Sequence, residues 1–188
     1  MLKRFCSFTI LLYAAIAVFA ATGTAFSEDW DNYVPSHEIG SADDDWWTVY
    51  PDQHENAGSA VDHLDWVLDD LKEKPVLMLV HSSNCVPCLT QMPRIQSAVD
   101  KFGDDLKYYD ILAEGDGYLK ALEVLGVYDP DGGSQYVPTT IFVTLAPGPD
   151  GKVEPVWHSQ IDAMSQDGID SYISDAIYYY KKNADSWS

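Results

Sequence analysis

The sequence predicts an α/β domain: a central mixed sheet flanked by helices on both faces, with the order βαβαβαββα along the chain. Two observations carry this. Short β-prone runs alternate with longer runs whose apolar residues recur at helical spacing, which is the pattern of crossover units and a partly parallel sheet. The last two β-prone runs are instead joined by a turn alone, which predicts an antiparallel hairpin at the edge of the sheet.

The first strand is "WWTVY" (46–50), ended by Pro51. In "GSAVDHLDWVLDDLKEKP" Ser59 is placed to cap a helix with Asp62 in the reciprocal position, Val61, Leu64, Val67, Leu68 and Leu71 recur at helical spacing, and Pro75 stops it. "VLMLV" (76–80) is continuously apolar, as a strand covered on both faces must be. A helix follows from Cys85 to Phe102, interrupted by Pro93. "LKYYDIL" (106–112) reads as a strand and "GYLKALEVLGV" (117–127) as a helix ending near Gly126. "TTIFVTL" (139–145) and "KVEPVWH" (152–158) flank the turn "APGPDG" and form the hairpin. The last helix, "DGIDSYISDAIYYYKK", gathers Ile169, Tyr172, Ile173, Ala176, Ile177 and Tyr180 on one face. There is no internal repeat.

Lys3 and Arg4, an apolar run from Phe5 to Ala21 and small residues up to Ala25 have the order of a secretory signal peptide over residues 1–25. Cleavage is expected after Ala25, with Ala20 as second choice. An uncleaved membrane anchor is the rival, since about 17 apolar residues is the short edge of a span. Both place the remainder, secreted or in the cell envelope, outside the cytoplasm. Residues 26–45, "FSEDWDNYVPSHEIGSADDD", are acidic and aperiodic and read as a tether, on which Trp30 and Tyr33 are candidates to dock. Residues 46–188 form one domain with a full-sized core.

The formal net charge is −19, and removing residues 1–25 takes Lys3 and Arg4 with it. Such a field repels phosphate backbones, so nucleic acid is not an expected partner. The two acidic runs "EGDG" (114–117) and "DPDGG" (129–133) lack the spaced oxygen ligands of a calcium loop and read as turns, so no metal is expected.

Of three cysteines, Cys6 lies in the leader, leaving Cys85 and Cys88 in "CVPC". Half of a zinc site is one reading, but a second such pair is missing and His37, His54, His63, His81 and His158 are scattered. An inert clip is another, although so short a loop removes little chain entropy. The third is a redox-active dithiol. A cysteine at a helix start meets unpaired N–H groups and the positive end of the helix dipole, which favour its thiolate. A second thiol one turn later can attack a mixed disulfide formed on the first. Pro87 sits in the first turn, where its missing N–H is no loss.

These features resemble the thioredoxin superfamily over roughly residues 46–182: "CVPC" after an apolar strand, Pro93 five residues beyond Cys88, and "YVPTTIFV" as the strand entry that carries a cis proline. The resemblance implies a thioredoxin fold, a nucleophilic Cys85, a buried resolving Cys88, and an extended substrate held by Val137 and cis-Pro138. It implies a thiol–disulfide oxidoreductase without cofactor. Its partners would be cysteine-containing exported proteins and an electron donor or acceptor that the sequence does not identify. "CVPCLTQMP" is most similar to exported TlpA/ResA-type thioredoxins, with Val-Pro leaning toward a reductase or isomerase. A disulfide-forming oxidase and a non-catalytic binding module of the same fold are the alternatives. Three positions depart from the family: Asn84 replaces its tryptophan, Gln91 its glutamate, and Leu79 the buried aspartate. His81, four residues before Cys85, is either an ordinary strand-end imidazole or a group that relays protons and favours the thiolate.

Overall fold

The computed structural model describes residues 30–187. The expected leader, residues 1–25, lies outside them. The described chain is an α/β domain with a mixed central sheet flanked by helices. In chain order its elements are β1 (Ile39–Gly40), β2 (Trp46–Trp47), α1 (Asp65–Asp70), β3 (Val76–His81), α2 (Val86–Phe102), β4 (Lys107–Leu112), α3 (Tyr118–Tyr128), β5 (Thr139–Pro147), β6 (Val153–Ile161) and α4 (Gln166–Asn183). The six strands are ordered β1-β2-β6-β5-β3-β4. β3 runs parallel to β4 and antiparallel to β5, and β5 runs antiparallel to β6.

Two layers of apolar side chains sandwich the sheet, because successive strand residues point to opposite faces. Leu77 and Leu79 of β3 pack with Ile95, Ala98 and Phe102 of α2 and with Ile169, Ile173 and Ile177 of α4. Val76, Met78 and Val80 pack on the other face with Val67 of α1 and with Ala121, Val124 and Leu125 of α3. The adjacent Trp46 and Trp47 are divided between the faces in the same way. All six residues of β3 are buried, which explains the unbroken apolar run Val76–Val80 ahead of His81.

Three local expectations are corrected. The first helix begins at Asp65, not near Ser59. The backbone of Ser59 is committed elsewhere: its carbonyl accepts from Tyr50 N–H at 3.0 Å, Gly58 N–H bonds the Tyr50 carbonyl at 2.9 Å, and Ala60 bridges Val49. α2 is not interrupted, since Pro93 lies inside the continuous helix. The carbonyl that Pro93 leaves without an intrahelical donor is that of Leu89, an exposed residue, where water can satisfy it. Finally, the closing hairpin lies inside the sheet, because β2 pairs with the outer side of β6 through Trp47 and Trp157. Pro155 is tolerated in β6 because its nitrogen falls on that outer side, away from β5.

Residues 30–45 pack on α4 and join the sheet through β1. Asp175, whose side chain is fully buried, accepts from the Tyr33 hydroxyl (2.6 Å), the backbone N–H groups of Ser36 (2.9 Å) and His37 (3.0 Å), and His37 Nδ1 (2.7 Å). His37 stacks on Tyr172 with ring centroids 3.7 Å apart.

Candidate active site

The site forms where β3 ends, α2 begins and β5 enters the sheet. Cys85 is the N-cap of α2, in extended conformation (φ −98°, ψ 117°), and Val86 and Pro87 open the helix. A cap residue usually offers an oxygen to the free N–H groups of the first turn. Here a sulfur does so: Cys85 Sγ accepts from Cys88 N–H at 3.1 Å. The cysteines are joined as a disulfide with Cα atoms 5.1 Å apart, well within the range such a bond spans. Their exposures differ. Cys85 is partly exposed, whereas Cys88 is wholly buried. Only one of the two sulfurs is open to a large partner.

Across from this pair, the Val137–Pro138 peptide bond is cis, and the Val137 carbonyl oxygen lies 3.3 Å from Cys85 Sγ. Pro138 is buried, and its carbonyl accepts from Asp162 N–H at 2.9 Å, tying the turn to the end of β6. Thr139 secures it from the other side by donating its hydroxyl to the Tyr136 carbonyl at 2.7 Å. The structure therefore brings Cys85, Cys88, Val137 and Pro138 together. Val86, Leu89 and Tyr136 are exposed apolar residues next to them in the chain. Clefts of about 510, 420 and 460 Å³ elsewhere on the domain are lined by other residues.

His81 is placed at the end of β3, beneath that surface and 6% exposed. Its Nε2 meets an Asp110 carboxylate oxygen at 2.7 Å, and its Nδ1 is buried without a hydrogen-bond partner. Sequence reading missed Asp110, which sits on the neighbouring strand β4. It also missed Glu114, whose carboxylate accepts the N–H of Ser83 at 2.6 Å and its hydroxyl at 2.8 Å, fixing the turn that delivers Cys85. Those bonds hold the Glu114 carboxyl below its ordinary range. Glu114 follows a strand end by two residues, and that register was the available signal.

Gln91, three residues past Cys88, is completely buried and used at both ends. Its Nε2 donates to Thr140 Oγ1 at 2.7 Å, and its Oε1 accepts from Met164 N–H at 2.9 Å. Leu79 is core. Among the described residues, no three His, Cys, Asp or Glu side chains converge as metal ligands. The "DPDGG" run is a turn closed by its own aspartate: Asp129 Oδ1 accepts from the N–H groups of Asp131 and Gly132, each at 2.9 Å, and Gly132 has a φ of +71° that a side chain would strain.

No family model matches the chain, and no curated protein matches it. Among solved structures, the chain is similar to a thiol:disulfide interchange protein of the thioredoxin family from Chlorobium tepidum TLS, with 16% identity over 58% of this chain and 83% of that one and a TM-score of 0.40. It is similar to the exposed lipoprotein thioredoxin Etrx1 of Streptococcus pneumoniae, with 19% identity, coverage of 57% and 89%, and a TM-score of 0.41. Thioredoxin O2 of Arabidopsis thaliana shares 20% identity over 52% of this chain and 70% of its own, with a TM-score of 0.35.

Proposed function

We propose that this chain is an extracytoplasmic thiol–disulfide oxidoreductase that reduces or isomerises disulfides in cysteine-containing exported proteins. The observation that carries the reading is a disulfide between a partly exposed helix-capping cysteine and a buried one, set against the Val137–Pro138 turn. The basic and apolar order of residues 1–25 supports the compartment, and Val-Pro between the cysteines supports the direction.

In the reduced state Cys85 is the nucleophile. Its thiolate is favoured by the Cys88 N–H and by the positive end of the 17-residue helix α2. It attacks one sulfur of a substrate disulfide, forming a Cys85–substrate bond and releasing the other sulfur as a thiolate. Cys88 loses its proton and attacks Cys85 Sγ, which expels the second substrate thiolate and leaves Cys85–Cys88 oxidised. Two electrons pass to the substrate, and an external dithiol must restore the pair. Val137 holds the extended substrate through its backbone, and Pro138, with no N–H, keeps that surface open beside the sulfurs. His81 is the proposed proton relay, because one nitrogen rests on Asp110 and the other is buried with no hydrogen-bond partner of its own.

The test is a Cys88→Ser protein mixed with a disulfide-bonded client protein. A covalent complex should accumulate through Cys85, vanish on adding a dithiol, and be absent from Cys85→Ser. A failure of Cys85 to react with alkylating reagents at neutral pH would end the enzyme reading and leave a binding module.

A further inference from the structure

Four connections lead to the end of the sheet where Cys85 lies: residues 82–85 after β3, 113–117 after β4, 129–138 before β5 and 162–165 after β6. They carry five carboxylates, Glu114, Asp116, Asp129, Asp131 and Asp162, and no lysine or arginine. Six lysines gather at the other end of the sheet, with Lys74 before β3, Lys107 at the start of β4 and Lys152 in the turn between β5 and β6. Lys101 joins them from the last turn of α2, as do Lys181 and Lys182 from that of α4. Of the cations nearer to Cys85, Arg94 donates to the Met164 carbonyl and Lys120 pairs with Glu123 at 2.8 Å. The end that bears the partly exposed cysteine is therefore negative, and its field favours an approaching cation.

Asp162 is bonded directly to the turn beside the sulfurs. Its N–H donates to the Pro138 carbonyl at 2.9 Å, and the Val137 carbonyl lies 3.3 Å from Cys85 Sγ. One peptide unit separates those two carbonyls, so Asp162 stands roughly 10 Å from the sulfur. Its backbone has a φ of 74°, and among the described residues no other non-glycine residue has a positive φ. A glycine adopts that conformation freely, whereas an aspartate is held in it against its steric preference. Such an outlier points to a use for the side chain. That side chain is exposed, with Oδ1 accepting from Ala163 N–H at 2.7 Å and no cation paired with it among the described residues.

We infer that Asp162 sets the substrate preference of the Cys85 site, selecting disulfides whose flanking residues include lysine or arginine. An extended segment held along Val137 advances about 3.3 Å per residue. Its third residue from the bonded cysteine comes opposite Asp162, where a cationic side chain meets the free carboxylate oxygen and an acidic one is repelled. Glu114 and Asp116, in the connection after β4, reinforce the same sign. The preference rests on the oxidoreductase reading of Cys85 and concerns only which clients that site takes.

The probes are two synthetic peptides of one design, each closed by a single disulfide, with lysine in one and glutamate in the other about three residues from each cysteine. Each is mixed with the reduced protein at low salt, and its disulfide becomes two thiols as Cys85 and Cys88 become a disulfide. Rates are read by acid quenching, alkylation and mass. The lysine peptide should react about tenfold faster, and the ratio of the two rates should approach unity in high salt. The ratio is the readout because removing a carboxylate near Cys85 alters its thiolate equally toward both peptides. Asp162→Asn, which tolerates the same backbone, should lower the ratio about threefold. Asp162→Gly, which relaxes that backbone, should lower it as much. Asp185→Asn, at the far end of the sheet, should leave it within about 1.3-fold. Equal rates for the two peptides, or a ratio that neither Asp162 variant moves, would overturn the preference while the oxidoreductase reading stands. No reaction with either peptide would remove that reading and the preference with it.

Discussion

Gln91 shows how one residue links catalysis to architecture. Its side chain cannot ionise, yet it lies one turn beyond the resolving sulfur and ties α2 both to β5 at Thr140 and to the start of α4 at Met164. Gln91→Leu keeps the volume and removes both bonds, leaving Met164 N–H and the Thr140 hydroxyl buried without partners. The expected loss is about 2 kcal/mol, read as a fall in the urea midpoint at unchanged slope. A loss below about 0.5 kcal/mol would mean that the two bonds are not made. His81 belongs to the same scale. In His81→Ala the apparent thiol pKa of Cys85, read from alkylation rate against pH, should rise; an unchanged curve would leave His81 as a core partner of Asp110. The substitution at position 91 was legible in the sequence, because it stands at a marked distance from "CVPC". Its use was not, since Thr140 and Met164 lie 49 and 73 residues away and no local pattern reaches that far.

Among the elements, β6 and α4 meet over a buried imidazole. His158 is wholly buried and stacked on Tyr172 with centroids 4.0 Å apart. Its Nδ1 is 3.0 Å from the Asp45 carbonyl and donates to it, so the partnerless Nε2 carries the lone pair. Burial pushes its pKa down to about 3 from the ordinary 6.5, and burial likewise pushes His63 down to about 4. Below about 6.5 the unfolded chain binds protons that the folded chain refuses, so stability is complete above that pH and declines as pH falls toward those values. His158 alone contributes a slope of about 1.4 kcal/mol per pH unit in that window. His158→Phe should flatten the fall in Tm between pH 6.5 and 4.5 while costing some stability at pH 7 through the lost bond to Asp45. An unchanged slope would place the titration elsewhere. Helical spacing and β-prone runs located the four described α-helices and the four described strands longer than two residues. They overextended α1, since nothing local shows that Ser59 pairs with Tyr50, and they set the hairpin at an edge, since β2 gains its place from two tryptophans alone.

Over the whole molecule, the described part of the acidic N-terminal segment is anchored on α4 by a buried carboxylate and joined to the sheet through β1. Asp175 lies among Tyr172, Ile173, Ala176 and Ile177 on the buried side of α4, and a charge within such a stripe was the sequence signal that something must pair with it. Asp175→Ala removes the acceptor shared by the Tyr33 hydroxyl, His37 Nδ1 and the backbone N–H groups of Ser36 and His37. It should cost about 3 kcal/mol and expose residues 30–45 to proteolysis before the rest of the chain; simultaneous cleavage throughout would show that the segment adds nothing of its own. The Val137–Pro138 turn and the partly exposed Cys85 meet at the end of the sheet where β3 stops and β5 begins. The central claim, that the Cys85 sulfur belongs to a working redox couple, is tested most directly by equilibrating the protein in glutathione buffers of graded potential and counting alkylated cysteines by mass. The account predicts reversible loss and return of two thiols together, Cys85 alkylated ahead of Cys88, and a midpoint well below the roughly −120 mV of a strong disulfide-forming oxidant. A midpoint near that value would reverse the direction of electron flow, and a pair that stays oxidised in every buffer, or a reduced Cys85 that resists alkylation, would contradict the claim itself.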